Sequence, residues 1–163
     1  MELIELNNRP DLLGPLRLLL EAYGRYMFEE LGLIAGKESF YSDLAHLPGP
    51  SYQPPGGSFV LAFDAEQAIG CAAIKRWDDE HCELKRMFIK AEFRGRGLGK
   101  QLCHWAGEKA RNLGYRSLLL DTNLEMSAAV GLYHRCGFER IEAYCSNANP
   151  HPVYMQLVLQ KMQ

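Results

Sequence analysis

Residues 83–113 read ELKRMFIKAEFRGRGLGKQLCHWAGEKARNL, and two different periods meet inside them. Cys82–Ile89 is rich in apolar and long side chains, alternates like a strand, and ends near Lys90. That alternation puts Glu83, Lys85, Met87 and Ile89 on one face. From Leu98 onward the period changes. Leu98, Leu102, Trp105 or Ala106, Ala110 and Leu113 recur at helical spacing, and Gly114 stops the helix. Between the two lies a turn with Arg94, Gly95, Arg96, Gly97 and Gly99. Without Cβ atoms, these glycines allow main-chain N–H groups to converge on one concavity. The helix start adds unbonded N–H donors and a positive dipole end, and Arg94, Arg96 and Lys100 add full charges. Such a unit suits a phosphate or pyrophosphate. The plainer alternative is a glycine-rich turn with basic surface residues. Glycines entering a helix cost about 0.5–1 kcal/mol each, which favours a ligand reason for three of them. Gly99-Lys100-Gln101 lacks the Ser/Thr and the spacing of a Walker loop. Lys100 stands where a dinucleotide fingerprint needs its third glycine.

Moving outward, Ser58–Phe63 and Ala68–Trp77 read as two strands around a turn at Asp64–Gln67, so the unit follows a β meander. Ser117–Thr122 is nearly all apolar, as in a strand covered on both faces. Thr122 and Glu125 fit a capping box ahead of a helix over Met126–Cys136, ended by Gly137. Short strands are expected around Phe138–Glu142 and Val153–Gln160. Toward the N-terminus, residues 2–6 alternate like a strand, Pro10 opens a long helical pattern, and residues 37–46 form a short helix. Leu47–Gly57, rich in Pro and Gly, is expected to be a mobile loop without regular structure. The order predicts an α/β chain of the α+β type, residues 1–163 forming a single domain.

Composition narrows the class. An apolar share of 47%, a charged share of 23% and a net charge of −2 are those of an ordinary globular protein, so neither a nucleic-acid nor a membrane partner is expected. The first fourteen residues have no basic stretch leading into an apolar one, and no apolar run nears the ~20 residues of a membrane span; a cytoplasmic setting is expected. The five cysteines, odd in number and without a CxxC pair, read as reduced thiols in the core rather than disulfides, and no metal site is expected.

RGRGLG (Arg94–Gly99) resembles the Q/R-x-x-G-x-G/A signature of the GNAT superfamily of N-acetyltransferases, and GLYHRCGF (Gly131–Phe138) resembles that family's later LYxxxGF motif. The resemblance covers nearly the whole chain. It implies a mixed, mostly antiparallel sheet of six to seven strands flanked by about four helices, with the strands bearing Leu84–Ile89 and Ser117–Thr122 splaying apart. The pantetheine arm of acetyl-CoA would enter that splay along Met87, Phe88 and Ile89. The pyrophosphate would rest on amides from Arg94 through Gly95, Arg96, Gly97, Leu98 and Gly99 to Lys100. One departure is Met126, which stands where many members carry Asn, seven residues before the motif tyrosine.

The implied reaction moves an acetyl group from acetyl-CoA to a primary amine of a small molecule or protein. An amine like that of lysine must lose a proton, at a cost of about 4–5 kcal/mol at pH 7. Glu83 is the candidate base, at the same offset before Arg94 as the catalytic Glu of the family's histone-acetylating branch; a surface Glu paired with a cation is its plainer reading. His81 is the second candidate base. Tyr133 is the candidate acid that protonates the departing thiolate, against a purely packing role. A main-chain donor near Phe88 or Ile89 would polarise the carbonyl. Leu47–Gly57 and Tyr144–Met155 are expected to wall the acceptor site, and homodimers through the closing strands are possible in such folds. The alternatives are a catalytically inactive acyl-CoA-binding sensor and a nucleotide-phosphate binder.

Overall fold

In the computed structural model the described residues are 1–159. The elements run β1 (Glu2–Glu5), α1 (Leu13–Gly24), α2 (Lys37–Ala45), β2 (Ser58–Asp64), β3 (Gln67–Arg76), β4 (His81–Ile89), α3 (Leu98–Asn112), β5 (Ser117–Asn123), α4 (Ser127–Arg135), β6 (Glu139–Ile141) and β7 (Pro152–Val158). The expected last strand thus ends near Val158, and Gln160 lies outside the described residues. One seven-stranded sheet has the order β1-β2-β3-β4-β5-β7-β6. Every neighbouring pair is antiparallel except β4 and β5, which the α3 crossover makes parallel. This is the mixed sheet with four helices that the sequence predicts.

Strand alternation divides the interior into two layers. Val60, Ala72, Ile74, Cys82, Leu84, Leu118 and Leu120 face α3 and α4, whose Leu98, Leu102, Ala106 and Tyr133 complete that core. Phe59, Leu61, Cys71 and Ala73 face the opposite way, onto Leu16, Leu19 and Leu20 of α1 and Phe40 and Leu44 of α2. Each burial of such a side chain is worth about 1.5–3 kcal/mol, so the amphipathic helices are held mainly by this packing. Past α1 the chain continues as a π-type turn over Arg25–Glu30.

Three local expectations fail for identifiable reasons. Thr122 remains in the β5 ladder opposite Val153, so it cannot cap a helix. Its hydroxyl meets Met126 Sδ at 3.8 Å, and Glu125 turns to His151 instead. Leu47–Gly57 is packed rather than loose: Pro50–Tyr52 forms a 3-10 turn, the Tyr52 ring is buried 5.0 Å from Phe59, and the Gly56 carbonyl accepts the Tyr115 hydroxyl at 2.8 Å. Finally, β4 does not keep one alternation. Its register with β3 slips between Lys85↔Ala73 and Phe88↔Cys71, and Arg86 takes a left-handed φ of 57°. This bulge reverses the faces. Leu84 before it and Met87 and Ile89 after it face α3, whereas Phe88 faces α1. Glu83 and Lys85 therefore do not share a face with Met87 and Ile89.

Candidate active site

The splay is a matter of ladder length. β4 pairs with β5 only over His81–Glu83 and Ser117–Leu119, after which the strands separate. Past the bulge, the main chain of Phe88 is committed to β3: a Cβ placed on Gly70 would stand 2.9 Å from its carbonyl oxygen. Alternation then turns the main-chain groups of Met87 and Ile89 toward the gap. The main-chain groups on that side are those of Met87 and Ile89, while Phe88 pairs with Cys71 of β3.

The gap opens into a cleft of about 710 Å³. Met87, Phe88, Ile89, Arg94, Gly95, Gly97, Gly99, Lys100 and Tyr133 all line it. Gly95 and Gly97 have φ of 78° and 84°, the left-handed region that side chains avoid. A Cβ on either would meet nothing within 4 Å, so the space in front of them is open. The first main-chain bond into α3 runs from Gln101 N–H to the Gly97 carbonyl at 3.2 Å. Among the described residues, no main-chain carbonyl accepts from the amides of Gly95 to Lys100. The amide of Arg94 is used, bonding the Ala91 carbonyl at 3.3 Å.

Two residues from the expected binding set do not line the cleft. Leu98 is 1% exposed and packs in the core beneath the turn. Arg96 turns outward, its guanidinium 5.2 Å from the Phe93 ring centre. Arg94 remains at the cleft, donating from Nε to the Ile89 carbonyl at 2.9 Å and lying 4.8 Å from the Tyr26 ring.

Tyr133 points from α4 into the cleft. Its hydroxyl meets Met87 Sδ at 3.9 Å, and its ring packs 5.6 Å from Phe138. Burial pushes the phenol well above its ordinary value, so it stays protonated. Met126, the departure from the family pattern, also lines the cleft.

Glu83 lies elsewhere. It sits on the other face, 3% exposed, and Oε2 accepts the Tyr144 hydroxyl at 2.9 Å. Burial, and next the negative field of Glu83, pushes the Tyr144 phenol far up, keeping the proton on tyrosine. The plainer reading, a Glu paired with a cation, does not describe it. His81 is held by Asp78, with Nδ1 2.8 Å from Oδ1, at the turn before β4. Of the two expected acceptor walls, Tyr52 and Tyr144 approach the Glu83 face, whereas Val153 and Met155 are buried in β7.

Other cleft residues were not singled out from the sequence. Tyr23 enters from α1 and Tyr26 from the π-type turn that follows it, and Arg135 and Cys136 from the end of α4. Both tyrosines continue the spacing of the core leucines of α1, which hides them. Arg135 lies within the GLYHRCGF stretch, and that was its available signal. Three cysteines are buried, while Cys136 and Cys145 are half-buried. No cluster of three or more His, Cys, Asp or Glu side chains able to hold a metal occurs among the described residues. No helix among them is long and apolar enough to cross a membrane.

Comparison with known proteins agrees with this geometry. The profile of the Acetyltransferase (GNAT) family matches residues 17–138, well over half of the chain. An uncharacterised N-acetyltransferase of Schizosaccharomyces pombe is 33% identical over 154 residues, 93% of this chain and 91% of the relative. In fold, a GNAT-family acetyltransferase of Staphylococcus aureus Mu50 superposes with a TM-score of 0.80 at 19% identity, over 98% of this chain and 99% of its own. A putative acetyltransferase of Salmonella typhimurium, solved with acetyl-CoA, gives 0.74 at 16% identity, over 100% and 96%. On the profile match and the full-length relative together, the chain belongs to the GNAT family of acetyltransferases.

Proposed function

We propose that residues 1–163 act as one catalytic domain that moves an acetyl group from acetyl-CoA to a primary amine of a small molecule or a protein. The observation that carries this reading is the set of unspent amides from Gly95 to Lys100, opening α3 onto the cleft that Tyr133 enters. The residues fit coenzyme A. Open space before Gly95 and Gly97 suits linked phosphates, and Arg94, Lys100 and Arg135 supply positive charge at the cleft. Main-chain groups of Met87 and Ile89 suit an extended amide-bearing arm laid along the splay. When bound, acetyl-CoA supplies a thioester as the acyl donor.

The chain's own groups account for the proton movements. Glu83, aided by Tyr144 and acting directly or through water, takes a proton from the acceptor amine. The amine nitrogen then bonds the acetyl carbon as the carbon–sulfur bond breaks. A donor at Ile89 or Met87 polarises the carbonyl oxygen. Tyr133 gives its proton to the departing sulfur as charge builds there. The thiol's reference pKa near 8.5 lies below that of the phenol, so this transfer is uphill, and the second N–H proton shed by the acylated amine restores the phenol. The products are an amide and free coenzyme A thiol. Much of the rate enhancement would come from holding amine and thioester in contact.

The test is thiol release from acetyl-CoA over a panel of amines, amino acids and peptides, with calorimetry of coenzyme A binding beside it. Release with at least one acceptor class is expected. Tight coenzyme A binding with no release on any acceptor would refute the enzyme reading.

A further inference from the structure

The face of the sheet opposite α3 carries charges that this scheme leaves unused. Arg86 occupies the bulge residue, with φ at 57°, a conformation that an arginine adopts under strain. The bulge aims its guanidinium across the α2 side, 4.7 Å from the Phe40 ring centre and 6.0 Å from that of Tyr52. Its side chain is only 13% exposed, and Nη2 donates to Asp43 at 2.8 Å. A guanidinium carries five N–H donors, so one ion pair leaves donors over. Beside it, the Tyr52 hydroxyl is buried, the residue being 4% exposed, with Arg86 as a polar neighbour but no hydrogen bond of normal geometry. A buried hydroxyl without such a bond in a native fold needs a reason.

Neither Arg86 nor Tyr52 lines the cleft itself, but the chain joins Arg86 directly to residues that do. Arg86 precedes Met87, Phe88 and Ile89 in the chain. Tyr23, stacked 5.2 Å from Phe88, lines the cleft, and its phenol, pushed up to about 12 by burial, feels the Arg86 charge next. On the same face Lys85 is 3.7 Å from Asp121. Lys85 and Arg86 are offset here by Asp121, Asp43 and Glu83, so charge alone does not select the acceptor. An acceptor that also carries a carboxylate meets leftover guanidinium N–H groups and the Tyr52 hydroxyl.

We infer that Arg86 and the Tyr52 hydroxyl form a carboxylate-recognition subsite, so that the preferred acceptor is an amino acid, its amine acetylated and its carboxylate held by Arg86. This rests on the acetyl transfer proposed above.

The test is thiol-release kinetics on matched pairs, each an L-amino acid and the amine left after its decarboxylation. The best amino acid should exceed its partner in kcat/KM by about 10²-fold, because a site built for a polar group discriminates strongly against its absence. Most of that ratio should lie in KM. Arg86→Met should bring the ratio to near one, and Tyr52→Phe should cut it several-fold with Tm unchanged. Asp43→Asn should preserve or raise it, since it frees the guanidinium. A wild-type ratio near one overturns the subsite, as does an Arg86→Met or Tyr52→Phe enzyme that loses activity equally on both members of a pair. Acetylated amines without carboxylate preference sink this inference alone. No release from any acceptor sinks the acetyl-transfer reading with it.

Discussion

Tyr133→Phe separates chemistry from packing because the hydroxyl it deletes has so little to hold. In the folded chain that hydroxyl touches the Met87 thioether at 3.9 Å, a weak acceptor at long range. The ring keeps its contact with Phe138, 5.6 Å away, and leaves no cavity. The stability change should stay below about 1 kcal/mol, or roughly 2–4 °C in Tm for a chain of this size. Turnover should respond on another scale. Loss of a positioned proton donor typically costs about 10²–10⁴ in rate, equivalent to about 3–5 kcal/mol of barrier. Three measurements on one preparation decide the matter: kcat by thiol release, Kd for coenzyme A by calorimetry, and Tm. The expected pattern is a kcat lower by at least 10²-fold, a Kd within about threefold, and a Tm that scarcely moves. If kcat stays within threefold of the parent, Tyr133 is a core residue and another group protonates the sulfur.

Three more expectations follow from the same coordinates. Gly97→Ala forces a side chain into φ of 84° at a strain of about 1–2 kcal/mol, and should weaken coenzyme A binding at least tenfold; Gly114→Ala, at φ of 89° beyond the far end of α3, carries similar strain and should leave binding intact, and equal losses in the two variants would refute the cradle. Among the cysteines, Cys136 lines the cleft and Cys145 stands near Glu83; burial pushes the Cys145 thiol up to about 11 and the Cys71 and Cys82 thiols up to about 12, so it is exposure that sets the half-buried Cys136 and Cys145 apart. Iodoacetamide read by mass spectrometry should mark Cys136 and Cys145 first, and acetyl-CoA should shield Cys136 only; shielding of Cys145 instead would move the ligand to the other face. Burial works to raise the Glu5 carboxyl, but hydrogen bonds from Lys109, Trp105 and Asn7 outweigh it and hold the group below its usual 4.5. A depressed carboxyl stabilises the fold above about pH 4.5 and ceases to do so as pH falls through its lowered value. The stability gap between the parent and Glu5→Gln, from urea titrations, should therefore shrink on acidification, and a gap constant between pH 7 and 3 would contradict the assignment.

How much was legible depended on the range of the interactions. The strand, turn and α3 helix were readable because apolar spacing changes from two to 3.6 across residues 91–97 and glycine marks the change. The bulge left no such mark. Arg86 is neither Gly, Asn nor Asp, the residues that usually signal a left-handed position. One inserted residue there turned the expected shared face of Glu83 and Met87 into two faces. The capping box failed in a related way: Thr122 has the right spacing to Glu125, but seven rungs with β7 outbid one local hydrogen bond. The Tyr144 contact with Glu83 spans 61 residues of sequence, and nothing local encodes it. The Pro- and Gly-rich stretch before β2 looked loose because its anchor, Tyr52, is a single aromatic among breakers.

The brevity of the β4–β5 ladder has a mechanical consequence. Three residue pairs are the main-chain joint between a four-stranded plate, β1 to β4, and a three-stranded one, β5, β7 and β6. Proteins usually guard raw strand borders at the rim with lysines, prolines or short strands. These borders lie in the middle, where such guards would obstruct the entrance. An extended guest with its own amides would therefore act as a brace, splinting the two plates by filling the missing rungs, and the empty protein should concentrate its slow breathing along that seam.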